Sequence, residues 1–249
     1  MNYCIYVSLY FTYQNFKYMA KKYYAVQKGK QKGVYNSWSD CQKQIAGVSG
    51  AIFKSFTDYD EARKFADSDS VLTYKLALDL DFGDYDIICH SDGGNRNHGN
   101  KKGEHVKPTD SAAWACLVEN HLTGEKTPLT DGDYGKTNNY MEVSGVMNGL
   151  KYLVQHNLLD KKILFVCDSK YALNASDPAW LKDKEKQDFN IPNGDLWAII
   201  NNLLKMNFKN VDLTWAWIHG HSGEMGNEFV DNLLNKTMNK LDKKRDAHE

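Results

Sequence analysis

YDIICHSDGG, residues 85–94, decides the fold. Its apolar, β-branched run predicts a strand, and the strand leads into an acid, Asp92, followed by two glycines. Nothing in the packing of a buried strand calls for that acid, because carboxylates are rarely buried without a partner. The same signature returns at KILFVC, residues 162–167, a run short enough for a buried strand, which Asp168 follows directly. Between the two lie SAAWACLVEN (residues 111–120) and a third strand over roughly residues 126–134. A helix is predicted over 139–156, where Val143, Val146, Met147, Leu150, Leu153 and Val154 recur at three- and four-residue steps. A helix over 194–206, a strand VDLTWAWI and a closing helix over 225–241 complete the pattern. Three antiparallel strands and then alternating helices and strands make an α/β fold, a mixed sheet covered by helices.

The chain has 249 residues, 42% hydrophobic and 25% charged, which excludes collagen-like, low-complexity and wholly disordered classes. Its net charge of -1 argues against a globally basic nucleic-acid binder, yet the charge is unevenly spread. From Lys17 to Lys54 there are eight basic residues and one acid, Asp40; from Asp58 to Asp86 there are nine acids and three basic residues. The basic stretch reads as a small β-β-α-β-α module. KYYAVQ, GVYNSW and AIFKSF are its strands, Ser39 with Gln42 is a capping box, and Thr57 or Asp58 caps the second helix. The expected organisation is a leader over 1–18, a first domain over 19–66, a linker over 67–84, partly helical at 71–78, and a second domain over 85–245. The leader is aromatic and carries one charge, so it fits neither a signal peptide nor a membrane span. It reads as disordered, or as lying upstream of a start at Met19, with organelle targeting left open. Five cysteines without a C-x-x-C spacing fit a reducing, cytoplasmic location. We expect a monomer with no membrane partner.

Two further acids join Asp92 and Asp168: Glu142 opens the 139–156 helix, and Asp231 sits on the last helix. Taken singly, each reads as a turn, a helix cap or a first-turn acid. If the sheet brings them together, they repel unless divalent cations neutralise them. Oxygen ligands suit magnesium or manganese, and two such ions about 3.5–4 Å apart can stabilise the attacking and leaving oxygens of a phosphoryl displacement.

SDGG at 91–94, TNNYME at 137–142, CDSKYAL at 167–173 and HGHSGEMGNEFVD at 219–231, in this order, resemble type 1 ribonuclease H. The resemblance implies a ribonuclease H-like mixed five-stranded sheet. It also implies hydrolysis of the RNA strand of an RNA–DNA hybrid to 5′-phosphate and 3′-hydroxyl ends, with two Mg2+ ions, or Mn2+, per site. By it, Asp92, Glu142, Asp168 and Asp231 are the metal-binding catalytic carboxylates, and His221 assists proton transfer and product release. Gly93, Asn95, Asn138 and Asn139 read the minor groove, and Thr137 contacts a phosphate. The basic module resembles the hybrid-binding, viroplasmin-like domain of the same enzymes. There Trp38 and Phe53 meet deoxyribose, Lys54 holds DNA phosphates, and Tyr24 fits the same surface. Aromatics flanked by lysines are a generic nucleic-acid surface, although core packing accounts for Trp38 or Phe53 singly as well.

The chain also departs from the family pattern. The loop from Asn95 to Asp110 is long, Lys170 stands where a carboxamide is usual, and Ser55 stands where a second basic residue is common. Residues 180–197 alternate Lys182, Lys184 and Lys186 with Asp183, Glu185 and Asp188, so weak grip is expected there. The alternatives are a non-catalytic hybrid-binding protein on the same scaffold, and a related polynucleotidyl transferase such as an integrase.

Overall fold

The computed structural model describes residues 22–48, 51–67, 73–96, 106–220 and 223–247. The leader, His221 and most of the long loop lie outside them. The chain divides into two compact units, Met1–Val71 and Leu72–Glu249.

In the first unit β1 (Tyr23–Lys28) is central, paired antiparallel with β2 (Gly33–Tyr35) and β3 (Ile52–Phe56). Helix α1 (Trp38–Ile45) and helix α2 (Tyr59–Asp67) complete it. Ala25 on β1 packs with Ala62 and Ala66 of α2. Here the structure corrects the predicted cap. Ser37, not Ser39, starts α1: its Oγ accepts from Asp40 N–H at 3.1 Å and donates to Asp40 Oδ2 at 2.8 Å. β2 therefore stops at Tyr35, and Trp38 is the first helical residue instead of a strand residue. Asp58 caps α2 by accepting from Glu61 N–H at 2.8 Å.

The second unit holds a six-stranded mixed sheet. In chain order its strands are β4 (Lys75–Leu76), β5 (Ile87–Asn95), β6 (Ser111–Asn120), β7 (Glu125–Tyr134), β8 (Ile163–Cys167) and β9 (Leu213–Trp217). The spatial order is β4-β9-β8-β5-β6-β7. β5, β6 and β7 are antiparallel; β5, β8 and β9 run parallel. The sixth strand, β4, pairs with β9 and lies in the stretch expected to be a linker. The helix expected over 71–78 is absent from its described part, residues 73–78, which holds β4 and enters a single 3-10 turn, Ala77–Asp79. Four helices follow the antiparallel strands: α3 (Asn138–Gln155), α4 (Pro178–Glu185), α5 (Gly194–Asn207) and α6 (Met225–Asp246). Residues of α3 and α5 share one core with Ile87, Cys89, Phe165 and Trp215. Val230, Leu234 and Met238 of α6 pack on Ala113, Ala115 and Leu117 of β6. β8 is buried along its whole length, as its unbroken apolar run requires.

Candidate active site

The sheet ladder sets the first two acids. Ser91 and Cys167 are the last paired residues of the β5–β8 ladder, and Asp92 and Asp168 each follow by one residue. The third acid depends on Gly93. A Cβ there would lie 2.2 Å from Glu142 N, so only glycine lets the first turns of α3 press onto β5. Glu142 lies one turn inside α3, which Thr137 caps by accepting from Tyr140 N–H at 3.1 Å. The fourth acid, Asp231, comes from α6. All four line one cleft of about 310 Å³, together with Gly93, Asn95, Asn138, Asn227 and Asn235.

Burial first, and then the charge of Asp168, push the carboxyl of Asp92 up to about 7; Asp231 and Glu142 add to this. The Gly93 N–H, donating to Asp92 Oδ1 at 2.7 Å, works against the rise. Glu142 is raised too, by burial first, while hydrogen bonds from Ser169 and Asn138 oppose the rise. Asn138 Nδ2 donates to Glu142 Oε1 at 2.7 Å, and Ser169 Oγ donates to Oε2. The four carboxylates share this cleft with no Lys, Arg or His among its described lining residues. An all-oxygen donor set of this kind fits a hard divalent cation. Among the described residues no three acid, imidazole or thiol side chains are already grouped closely enough to hold an ion.

Two neighbours of the cleft, Trp217 and Asn235, are not singled out by the sequence, whereas Lys170, Asn95 and Asn139 are. Trp217 Nε1–H donates to the main-chain oxygen of Asp168 at 2.8 Å, and the Lys170 ammonium sits 4.5 Å from the Trp217 ring centre. Asn235 Nδ2 donates to Asp231 Oδ1 at 3.1 Å. A Cβ on Gly220 would stand 3.0 Å from Asp168 Oδ2, so the described chain just before His221 passes this carboxylate. Asn95 donates to the Lys136 carbonyl at 3.1 Å, and Asn139 is exposed. Trp197 is fully buried with Trp180 packed on it at 4.9 Å, ring centre to ring centre, and Glu185 pairs with Lys205, so the 180–197 segment commits its tryptophans and part of its charge to contacts within the protein.

On the first unit, Trp38 lies 5.7 Å from Tyr24 and 5.6 Å from Phe53, ring centre to ring centre. Trp38 is 43% exposed and Phe53 42%, so the cluster is surface rather than core. Lys54 pairs with Ala25, which places it on the opposite face of β3, beside Phe56.

Residues 86–239 match the family model described as RNase H. The chain belongs to the ribonuclease H family. It is an endoribonuclease for the RNA strand of RNA–DNA hybrids. Residues 22–66 match the model described as the ribonuclease H1 N-terminal domain. Ribonuclease H of Hydrogenovibrio crunogenus is 31% identical over 134 residues, covering 51% of this chain and 85% of its own. Ribonuclease H of Saccharomyces cerevisiae is 46% identical over 43 residues, 17% of this chain and 12% of that one. Among solved structures, LC9-RNase H1, a type 1 ribonuclease H with the type 2 active-site motif, superposes with a TM-score of 0.50 at 19% identity. That match covers 62% of this chain and 72% of the other, and it shows a shared fold. No described helix is long and apolar enough to cross a membrane.

Proposed function

We propose that the second unit hydrolyses the RNA strand at the acid cleft by two-ion catalysis, leaving 5′-phosphate and 3′-hydroxyl ends, and that residues 19–66 grip the hybrid. One observation carries the reading: four carboxylates, from β5, α3, the residue after β8 and α6, line one cleft, where burial first and then the charge of Asp168 raise Asp92. Asp92, Glu142, Asp168 and Asp231 would hold magnesium or manganese, which supplies activation of the attacking water and stabilisation of the departing 3′ oxygen. The chain's own residues do the rest. Asn138 and Ser169 orient Glu142, Asn235 orients Asp231, and Trp217 fixes the main chain at Asp168.

Discrimination of RNA from DNA rests on the 2′-hydroxyl in a wide minor groove. In this reading Gly93, Asn95, Asn138 and Asn139 meet the minor groove and Thr137 a phosphate; the lining of the cleft by Gly93, Asn95 and Asn138 supports it. His221 moves a proton and hastens product release. Tyr24, Trp38 and Phe53 form the sugar- and base-stacking platform, with Lys54 at the sheet edge for phosphate. Four free cysteines among the described residues support a reducing, cytoplasmic setting.

The test is incubation with Mg2+ and an end-labelled hybrid, a double-stranded RNA and a DNA duplex of one sequence. Cleavage confined to the RNA strand of the hybrid, with the stated ends, is the expected result. Binding without cleavage would leave a non-catalytic hybrid-binding protein, and cutting of the DNA duplex would point to a polynucleotidyl transferase.

A further inference from the structure

Ser169 follows Asp168 in the chain, yet its side chain serves Glu142. Its Oγ accepts from the Ala172 N–H at 3.2 Å and donates to Glu142 Oε2. A serine hydroxyl carries one proton. With Ala172 occupying a lone pair, that proton is directed at the carboxylate. The other oxygen, Oε1, accepts from Asn138 Nδ2, one turn earlier on α3. Glu142 comes from a helix and Asp168 from a strand end, so this hydroxyl is the link that fastens one acid to the main chain beside the other.

Two consequences follow from the chemistry. A glutamate side chain free to rotate must be ordered when it takes a ligand, at a cost in rotamer entropy. Glu142 is ordered beforehand. A carboxylate also offers about four lone-pair sites, so two hydrogen bonds leave room for a cation.

We infer that Ser169 is a positioning residue that sets the divalent-ion affinity of the cleft by holding Glu142 Oε2 in place. The inference rests on the reading of the cleft as an ion site. Loss of a hydrogen bond to a charged group should weaken ion binding by about tenfold or more.

The test uses the full chain as wild type, Ser169→Ala and Ser169→Thr. Mn2+ is titrated calorimetrically into each protein without substrate, hybrid cleavage is followed against Mg2+ concentration, and melting is recorded in EDTA. In Ser169→Ala, Mn2+ affinity should fall about tenfold and the half-saturating Mg2+ concentration should rise by a like factor, with KM for the hybrid unchanged. Ser169→Thr, which keeps the hydroxyl, should restore both. Equal ion affinity in wild type and Ser169→Ala overturns the inference, and so does tighter binding in the variant. A lowered melting temperature with unaltered ion affinity would make Ser169 a purely structural turn residue and overturn it as well. Wild type that takes up no Mn2+ at all would overturn the ion-site reading itself, which separates the two failures.

Discussion

Asp92 on β5 and Asp168, directly after the parallel neighbour β8, each lie one residue beyond the shared rung Ser91–Cys167. Adjacent strands are spaced about 4.8 Å apart, so the register alone sets two carboxylates side by side at one sheet end. α3 and α6 then bring a third and a fourth to the same cleft. The fold creates the repulsion, which the proposed divalent cation would relieve.

Burial of Asp92, with that repulsion added, has a sign in stability. The folded chain holds the Asp92 proton up to about pH 7, whereas the unfolded chain releases it near the ordinary 3.8. Across that window the folded state binds more protons, so its stability falls as pH rises. About three pKa units correspond to roughly 4 kcal/mol at most. Without divalent ions, the melting temperature should therefore drop between pH 5 and pH 8. Asp92→Asn should flatten the drop and melt higher than wild type at pH 8. Melting curves in EDTA at both pH values check this, and a wild-type profile no steeper than that of the variant would contradict it.

His221→Ala should reduce kcat by roughly 10²-fold, the scale of general acid–base assistance, while leaving ion affinity untouched. Turnover measured from pH 6 to 9 decides the point. An unchanged kcat throughout would remove His221 from the mechanism.

The first unit should supply most of the grip. Its aromatic cluster is exposed, and the segment from Lys17 to Lys54 carries eight basic residues against one acid. Deleting residues 1–66 should raise KM on long hybrids and flatten the salt dependence, because counterion release scales with the phosphates contacted. Trp38→Ala with Phe53→Ala should reproduce much of the affinity loss, at about 1–3 kcal/mol per stacked group. Equal KM and salt slope in the full-length and truncated proteins would contradict the division of labour.

Asp92 and Asp168 were legible because each ends an apolar run that has no use for a charge. Glu142 was legible through the helical spacing around it, and the antiparallel-then-parallel sheet through strand order. Ser169, Trp217 and Asn235 were not. Ser169 meets Glu142 and Trp217 meets Asp168 across folded-chain distances that no local spacing encodes. β4 is two residues long, below the length at which any periodicity exists. Ser37 and Ser39 each have a polar residue three positions on, so spacing alone does not choose between them, and Ser37 is the cap. Lys54 next to Phe53 in sequence suggested one surface, but strand alternation turns the two side chains to opposite faces.

The acid cleft is tested most directly by Asp92→Asn and Asp168→Asn, each assayed on one end-labelled hybrid for cleavage with saturating Mg2+ and for binding in EDTA. The account predicts that both variants lose hydrolysis and bind the hybrid as tightly as wild type, since each loses one carboxylate charge and keeps the rest of the binding surface. Hydrolysis by either variant at near the wild-type rate would contradict it.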